Sequence, residues 1–483
     1  MMEGAVEQFD VIVIGAGLSG IGASWHLAVD CPDLSHVILE ARGDLGGTWD
    51  LFRYPGIRSD SDMHTLGFRF KPWRQAKAIA DGGSILDYLR ETAAEKGIAG
   101  RIRYRHRVVA AEWSSADAAW TLTVDRDGER ALFRANFLYV CAGYYDYEQG
   151  HAPVFPGVER FGGRIVHPQF WPDDLDCTGQ RVVVIGSGAT AVTLVPELAK
   201  TAAHVTMLQR SPTYIVARPG KDAVANALRR VLPERTAYRL TRWKNVLLGQ
   251  FFYRQMRKHP DAAKTRLIGW VRDRLGDEVD VDRHFTPRYV PWDQRLCLVP
   301  DGDLFDAIKG GRASVVTDTI ETFTEDGIRL ASGETLAADV VVTATGLKLK
   351  MLGGVTLTVD GRAVDPAQSL TYKGMMFSDV PNLAIAFGYT NASWTLKADL
   401  TSAYVCRLLK HMTATGTRRA TPRVGSVPVE REAFLDFTSG YVQRAKDILP
   451  QQGTRAPWRL DQNYLKDVRT LRYGPIDDEM EFR

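Results

Sequence analysis

The chain has 483 residues, of which 45% are hydrophobic and 25% are charged, and its formal net charge is +3. This composition indicates a globular protein of two or three domains and argues against nucleic-acid binding. The chain start has no basic segment before an apolar run, and no stretch of about 18 residues is apolar, so we expect a cytoplasmic protein. The five cysteines are widely spaced and form no C-x-x-C pair. We therefore expect neither a metal site nor a redox-active dithiol.

The first dinucleotide-binding signature lies near the N-terminus. Residues 11–14 are apolar, as in a strand buried on both faces, residues 21–29 have helical spacing, and residues 37–39 form the next strand. The turn after the first strand has the pattern G-x-G-x-x-G, formed by Gly15, Gly17 and Gly20. Glu40 ends the second strand, where a carboxylate accepts hydrogen bonds from a ribose. This spacing predicts a dinucleotide site at the N-terminus of a helix.

The residues after Glu40 favour FAD as the dinucleotide. G-D-L-G-G-T-W-D spans residues 43–50, and F-R-Y-P-G-I-R-S-D spans residues 52–60. Both segments resemble those that lie beside the ribityl chain and the flavin ring in flavoprotein monooxygenases. The alternative for Trp49 is that it only fills the core.

A second signature follows the same plan at residues 181–210. Here the turn is G-S-G-A-T-A, and alanine takes the third glycine position, a tolerated variant: the three positions are Gly186, Gly188 and Ala191. An NAD site usually has an acid at the end of the next strand, but this chain has Gln209, Arg210 and Ser211. Because a guanidinium binds a 2′-phosphate, we expect NADP(H) rather than NAD(H).

The segment between residues 216 and 287 differs in composition. It is rich in Arg, Lys, Leu and aromatic residues, and helical periodicity fits residues 223–231, 236–258 and 262–275. We interpret it as a helical insertion in the second dinucleotide domain. Residues 243–258 are basic and aromatic, which predicts either weak association with a membrane surface or, more simply, a helix with a core face and a solvated face.

Further elements complete an α/β chain. Residues 338–346 and 382–388 read as buried strands, residues 396–412 as a helix, and residues 413–483 as a polar, irregular C-terminal segment. The predicted domains are residues 1–150 with 348–483 for FAD, residues 151–215 with 288–347 for NADP, and residues 216–287 as the insertion.

A short motif before the second signature narrows the family. F-x-G-x-x-x-H-x-x-x-W-P is matched by Phe161, Gly163, His167, Trp171 and Pro172. It resembles the signature of type I Baeyer–Villiger monooxygenases, and further blocks resemble their ethionamide-activating branch. A structural His167 is the plain alternative, but the resemblance implies a hinge in which His167 couples domain motion to cofactor position.

The resemblance also implies site residues. FAD would contact Ser19, Glu40, Thr48, Trp49, Asp50, Leu51, Asp60 and Val108. NADP would contact Arg58, Ser59, Asp60, Ser187, Gly188, Ala189, Thr190, Ala191, Arg210 and Ser211. In W-D-Q-R-L-C-L-V-P, Arg295 stands at the active-site arginine, positioned by Asp60, and Gln294 stands where the family usually has lysine.

The implied fold is α/β, with two Rossmann-like domains for FAD and NADP. The implied reaction uses NADPH and O2 and a C4a-peroxyflavin to insert oxygen into ketones, giving esters or lactones, and to oxidise sulfides and thioamides. The main alternative is an N- or S-oxygenating flavin monooxygenase without Baeyer–Villiger activity. A flavin disulfide reductase would need a dithiol, and a non-enzymatic flavoprotein would not consume NADPH. The native substrate and the oligomeric state stay open.

Overall fold

The computed structural model describes residues 6–435 and 437–483. Residues 1–5, at the start of the first predicted domain, lie outside the described part. The strands in chain order are β1 (Glu7–Ile14), β2 (His36–Leu39), β3 (Ile102–Arg103), β4 (Arg107–Ser114), β5 (Ala119–Arg126), β6 (Glu129–Val140), β7 (Tyr145–Gly150), β8 (Arg164–Val166), β9 (Arg181–Ile185), β10 (His204–Gln209), β11 (Ile215–Arg218), β12 (Cys297–Pro300), β13 (Ala313–Thr317), β14 (Ile320–Thr324), β15 (Gly327–Leu330), β16 (Thr335–Ala337), β17 (Val340–Thr343), β18 (Leu347–Leu349), β19 (Thr356–Val359), β20 (Arg362–Val364), β21 (Thr371–Tyr372), β22 (Met376–Phe377), β23 (Leu383–Ile385), β24 (Ala420–Pro422), β25 (Arg431–Ala433), β26 (Gln451–Gly453) and β27 (Met480–Phe482).

The helices alternate with these strands through most of the chain. They are α1 (Leu18–Asp30), α2 (Thr48–Leu51), α3 (Met63–Leu66), α4 (Gly82–Glu95), α5 (Ala189–Leu198), α6 (Ala223–Val231), α7 (Glu234–Lys258), α8 (Pro260–Leu275), α9 (Val281–His284), α10 (Asp303–Lys309), α11 (Trp394–Thr415), α12 (Gly440–Gln443) and α13 (Tyr464–Asp467). No helix in the described part of the chain is long and apolar enough to cross a membrane.

The first sheet is built around β1. In its parallel part β3, β2, β1 and β6 are neighbours, and β23 pairs in parallel with the end of β6. The other half of β6 continues into an antiparallel ribbon with β5 and β4. Strand order reverses at β1, between β2 and β6, and such a reversal opens a crevice at the carboxyl ends of the strands.

Alternate residues of β1 are buried on opposite faces of this sheet. Val11 and Val13 belong to a core formed with α1, α4 and α11. Ile12 and Ile14 belong to a second core, formed with the antiparallel ribbon and its buried Trp113 and Trp120. Burial on both faces explains why residues 11–14 form an unbroken apolar run.

The second sheet is wholly parallel, in the order β13, β10, β9, β17 and β8. The same alternation holds, because Val182 and Val184 pack against α5, whereas Val183 and Ile185 pack on the other face, against the sheet of β14, β15 and β16. The parallel part of the first sheet and the parallel second sheet, each with its own glycine turn, confirm the α/β fold class.

Two connections join the sheets, and they pair with each other. β7 leaves the first sheet and β18 returns to it, and the two strands form an antiparallel ribbon. Residues 141–144, which directly precede the ribbon, line the cavity described in the next section. Because both connections run through this ribbon, its position is coupled to the positions of both sheets.

The three predicted insertion helices correspond to α6, α7 and α8, and α6 has the predicted bounds. The insertion packs against both sheet units. Tyr238 and Val246 of α7 join the core of the first sheet, whereas Ile268 and Val271 of α8 join that of the second. The C-terminal segment is more ordered than its polar composition indicates, because β24 to β27 form two short antiparallel pairs.

Candidate active site

A cavity of about 800 Å³ lies between the two sheets and is lined by both glycine turns. Its wall includes Gly15 and Gly17 from the first turn and Ser187 and Gly188 from the second. The ends of parallel strands therefore meet at one shared space. Two dinucleotides bound at the two turns would face each other across it.

Both helices behind the glycine turns begin with free backbone N–H groups. α1 has Gly17 as its N-cap and α5 has Gly188, and neither cap has a side-chain hydrogen bond. A Cβ at Gly188 would meet no described atom within 4 Å, and one at Gly17 would meet only Gly47, at 3.7 Å. The turns thus leave room for phosphate oxygens against unpaired donors at the positive ends of two helices, which fits FAD and NADP.

The first turn itself depends on two glycines. Gly15 has a φ of +100°, and a Cβ there would lie 2.8 Å from the carbonyl oxygen of Cys141. A Cβ on Gly20 would overlap the Gly15 carbonyl oxygen, so Gly20 allows α1 to pack on the turn. At the second turn the third position is Ala191, which is fully buried in the core with α5.

Glu40 is a buried carboxylate that organises the turn. Its oxygens accept hydrogen bonds from the backbone N–H of Ala16, at 2.6 Å, and of Arg42, at 2.8 Å. Burial raises the pKa of Glu40, while these two hydrogen bonds and the charge of Arg42 oppose that shift. Glu40 lines the cavity, so its remaining lone pairs are available to ribose hydroxyls.

The other predicted FAD contacts divide into two groups. Ser19, Thr48, Trp49 and Val108 line the cavity; the Ser19 hydroxyl accepts a hydrogen bond from Trp394 Nε1 at 2.8 Å. Gly20, Asp50 and Leu51 are not part of the lining. Asp50 instead forms an ion pair with Arg42 from within α2, so it supports the wall from behind.

The predicted NADP contacts divide in the same way. Arg58, Ser59, Asp60, Ser187, Gly188, Ala189 and Thr190 line the cavity. Gly186, Ala191, Arg210 and Ser211 do not. The guanidinium of Arg58 already forms an ion pair with Asp303 at the start of α10.

The end of β10 carries the residues that replace the usual acid. Gln209 is buried and donates hydrogen bonds to the His284 carbonyl oxygen and to Thr317, so its role is structural. Arg210 and Ser211 are exposed beyond it. The Ser211 carbonyl oxygen accepts a hydrogen bond from the Ser187 hydroxyl at 3.1 Å, which ties this strand end to the glycine turn.

Arg295 and Asp60 meet at the cavity wall. Arg295 Nε lies 3.1 Å from Asp60 Oδ2, and its Nη2 lies 3.4 Å from Oδ1. Asp60 raises the pKa of Arg295 further above its usual value, so this guanidinium is a permanent cation. Its side chain is 37% exposed, and both residues line the cavity, although they are 235 positions apart in the chain.

Aromatic side chains around Arg295 were not predicted from the sequence. Tyr144 stacks on Trp394 with ring centroids 5.3 Å apart, and its hydroxyl lies 3.2 Å from that of Tyr145. Burial raises the pKa of Tyr441 to about 12 and that of Tyr145 as well, so these phenols are neutral donors. Tyr144 and Tyr145 follow the end of β6, which pairs with β1, so their place in the sequence could have marked them as residues of this site. No local pattern marks Tyr441.

The hinge motif lies outside the cavity, beside the ribbon of β7 and β18. His167 Nδ1 accepts a hydrogen bond from the Gln169 backbone N–H, and Nε2 donates to the Gly346 carbonyl oxygen at 3.3 Å. Burial lowers the pKa of His167, consistent with a neutral ring in this tautomer. Phe161 packs edge-on to Phe323, Gly163 lies against the Asp339 carbonyl oxygen, and Trp171 packs on the core between the second sheet and α5.

Among residues 6–435 and 437–483, no group of His, Cys, Asp or Glu side chains could hold a metal ion.

These features define a class: a two-cofactor flavoprotein with a cation beside the space that the cofactors share. Two family models agree with that class. Residues 77–268 match a flavin-binding monooxygenase-like model, and residues 13–81 match an NAD(P)-binding Rossmann-like domain.

Full-length relatives establish the family. The chain is 55% identical over 474 residues to the FAD-containing monooxygenase EthA of Mycolicibacterium smegmatis, covering 98% of this chain and 96% of that protein. It is 48% identical to the probable FAD-binding monooxygenase AlmA of Acinetobacter baylyi, over 98% and 95% of the two chains. The chain therefore belongs to the family of FAD-containing monooxygenases.

Solved structures agree on the architecture. A steroid monooxygenase bound to NADP matches with a TM-score of 0.77 at 24% identity, over 98% of this chain and 99% of that one. The predicted family and enzyme class, a flavin-dependent monooxygenase, are confirmed. The predicted cofactors, FAD and NADPH, agree with the FAD-containing relatives and with the match to an NAD(P)-binding Rossmann-like domain.

Proposed function

We propose that the protein uses NADPH and O2 to insert one oxygen atom into apolar ketones, giving esters or lactones, and to oxidise sulfides and thioamides. The observation that carries this proposal is the Arg295–Asp60 pair at a wall of the cavity into which both glycine turns open. When bound, FAD activates O2, and NADPH supplies the hydride that reduces the flavin.

The chain's own residues position these groups and stabilise charge. The free N–H groups of α1 and α5 hold the two pyrophosphates, and Glu40 holds the ribose of FAD. Arg210 and Ser211 bind the 2′-phosphate of NADPH. Arg295 donates hydrogen bonds to the negative charge that develops on the substrate's carbonyl oxygen, and Asp60 fixes its guanidinium in advance.

The aromatic wall supports an apolar substrate. Tyr144, Trp394 and Phe387 form one aromatic cluster at the cavity surface, in which Tyr144 stacks on Trp394 and Phe387 packs at a tilt. Leu435 and Phe437 extend it. Such a wall buries apolar substrate surface and excludes water from the space in front of Arg295.

The hinge motif is part of the same proposal. His167 is hydrogen-bonded to Gly346, which lies between β17 and β18. A movement of the β7–β18 ribbon therefore changes the position of one glycine turn relative to the other. The domain divisions at residues 150, 215, 287 and 347 follow this scheme, with the FAD and NADP units on either side of the ribbon.

An isotope experiment tests the reaction. The holoenzyme, NADPH and ¹⁸O₂ are incubated with a simple ketone and, separately, with a thioether. One ¹⁸O atom in an ester or lactone supports oxygen insertion into ketones. Label only in the sulfoxide supports the alternative, an N- or S-oxygenating enzyme without Baeyer–Villiger activity. NADPH consumption that yields hydrogen peroxide and no labelled product contradicts both.

The predicted location is also a proposal. We propose a cytoplasmic enzyme that associates weakly with membrane surfaces, because α7 combines a basic charge with exposed apolar side chains.

A further inference from the structure

The solvent-facing side of α7 is unusually apolar. Its exposed stripe consists of Leu240, Trp243, Leu247 and Phe251, which are 38% to 53% exposed and recur at i, i+3, i+7 and i+11. Leu248 and Phe252 lie beside it, 47% and 45% exposed. These six make up almost a third of the 20 large apolar side chains exposed in the described chain. Such a concentration marks an interaction surface.

Apart from Trp243, whose ring lies 5.9 Å from that of Tyr464, the stripe is not the face that α7 uses for packing. Tyr238, Arg242 and Val246 are buried on the opposite side, where Arg242 donates hydrogen bonds to the carbonyl oxygens of His64, Thr65 and Gly67. The helix therefore has two apolar faces, and folding of this chain buries only one.

The charge of α7 selects the partner of the stripe. The helix carries seven basic residues and one acid, Glu234, which is already paired with Arg74. Arg239, Arg254 and Lys258 are exposed and make no ion pair with any carboxylate that the structure describes. A second copy on a twofold axis would set this basic helix against itself. An anionic surface matches both the charge and the aromatic stripe.

The C-terminal half of α7 also lies behind the cavity wall. The Tyr253 and Trp292 rings are 5.2 Å apart, Trp292 Nε1 is 3.2 Å from Met256 Sδ, and Arg257 pairs with Asp293 at 2.7 Å. The next two residues along the chain, Gln294 and Arg295, line the cavity. One helix therefore joins the apolar stripe to the loop that carries the active-site cation.

We propose that the α7 stripe docks on an anionic lipid bilayer and that the enzyme takes apolar ketones or sulfides dissolved in that bilayer. The stripe inserts its Leu, Trp and Phe side chains at the headgroup level, while Arg254 and Lys258 contact lipid phosphates. Docking brings the wall that carries Arg295 next to the membrane, which shortens the path of an apolar substrate into the cavity. The substrate part of this inference rests on the proposed function.

Co-sedimentation tests the docking step. The holoenzyme is mixed with vesicles of phosphatidylcholine alone or of phosphatidylcholine and phosphatidylglycerol in equal parts. The wild type is expected to sediment with the anionic vesicles only. Leu247→Gln with Phe251→Gln should weaken binding about tenfold or more, and each charge lost in Arg254→Gln and Lys258→Gln should weaken it about fivefold.

Matched controls alter exposed residues elsewhere. Leu132→Gln with Tyr473→Gln removes apolar side chains that are 47% and 73% exposed, and Arg130→Gln with Arg362→Gln removes two exposed charges. Both control variants should bind as the wild type does. Wild-type protein left in the supernatant, or stripe variants that bind equally well, would overturn the docking. A wild-type dimer that the stripe variants convert to monomer, without vesicle binding, would identify a second copy instead.

A substrate comparison tests delivery. A long-chain thioether dissolved in the anionic vesicles should be oxidised about tenfold or more faster by the wild type than by Leu247→Gln with Phe251→Gln. A water-soluble thioether without vesicles should be oxidised equally by both. Equal rates on the vesicle-borne thioether overturn delivery while the proposed function stands. Oxidation of neither thioether contradicts the proposed function, and co-sedimentation then still decides the docking.

Discussion

Arg295 is the residue on which the proposed chemistry depends most. Arg295→Ala should leave FAD bound, because the pyrophosphate and ribose contacts lie at the first glycine turn and Glu40. Oxygenated product should fall by about 10²-fold or more, the scale for loss of one preorganised donor to a developing oxyanion. Lysine should restore only part, because a point charge cannot form the two-nitrogen pair with Asp60.

The measurement is product formed per NADPH consumed. A structural role would lower FAD content or thermal stability together with activity, whereas the proposed role lowers only the coupling. If the Arg295→Ala enzyme keeps the wild-type rate and coupling, Arg295 is not an active-site residue.

Arg210 should decide the coenzyme. It is exposed at the end of β10, next to a serine whose carbonyl oxygen is bonded to the second glycine turn. Arg210→Ala removes a charge-assisted contact worth about 1.5–3 kcal/mol, so KM for NADPH should rise about tenfold or more while KM for NADH hardly changes. Steady-state kinetics with both coenzymes checks this, with Arg130→Ala as an exposed control. Equal losses with both coenzymes would make Arg210 a structural residue.

Among single residues of the site, the sequence identifies those that belong to a short local motif. Gly15 and Glu40 are set by the spacing of the first signature and Gly188 by that of the second, and all three line the cavity. Arg295 and Asp60 were placed together only through the family resemblance, because 235 positions separate them. Tyr441 reaches the same wall from the C-terminal segment, and no periodicity links it to Tyr144.

Among the elements, α11 joins the C-terminal segment to the first core through a buried ion pair. Lys397 Nζ lies 2.8 Å from Asp467 Oδ2, and the Tyr389 hydroxyl donates to the same oxygen at 2.6 Å. The two charged side chains are only 2% and 9% exposed. Lys397→Met leaves Asp467 buried without its cation, so the free energy of unfolding should fall by about 3–5 kcal/mol.

Urea denaturation of the holoenzyme measures this change. Lys410→Met, at an exposed position of the same helix, should change the free energy of unfolding by no more than about 0.5 kcal/mol. Adding Asp467→Leu to Lys397→Met should recover part of the loss, since no charge is then left buried. A Lys397→Met protein as stable as the wild type would show that the pair is not needed to hold the segment.

The elements also show where sequence patterns stop. Continuous apolar runs predicted β1 and β9, because strands buried on both faces need them. The helices of the insertion were predicted as well, since a period near 3.6 is visible in one segment. The sequence could not assign the faces of α7, because apolar residues occur on both sides and only tertiary packing decides which side is buried.

For the whole molecule, a buried histidine joins the beginning of the chain to its C-terminal part. His26 in α1 lies 3.1 Å from Asp30 through Nδ1 and 3.0 Å from Asp399 of α11 through Nε2. Carboxylates only accept, so both ring nitrogens must donate and the ring is cationic. Burial lowers the pKa of His26, but the hydrogen bonds to Asp30 and Asp399 outweigh burial and raise it above its usual 6.5.

This arrangement gives stability a defined dependence on pH. A group whose pKa is raised on folding stabilises fully below its unfolded pKa, and that contribution is lost as pH rises through the folded pKa. Burial raises the pKa of Asp399, but the hydrogen bond and charge of His26 outweigh burial and lower it. The stability that Asp399 contributes is therefore present at neutral pH and is lost only in acid. Arg69 and Arg472 also face Asp399, at 3.3 Å and 3.1 Å, and keep it paired when His26 loses its proton.

His26→Gln should therefore lower the melting temperature of the holoenzyme most near pH 6 and progressively less toward about pH 9. The wild type loses the cationic ring over this range, whereas the glutamine has no proton to lose. His259→Gln, at an exposed position, should show no such trend. Thermal unfolding of the three proteins across this pH range is the measurement. A difference between wild type and His26→Gln that stays constant, or grows with pH, would mean that the ring is neutral in the folded protein, and that its charge contributes nothing to the contact between α1 and α11.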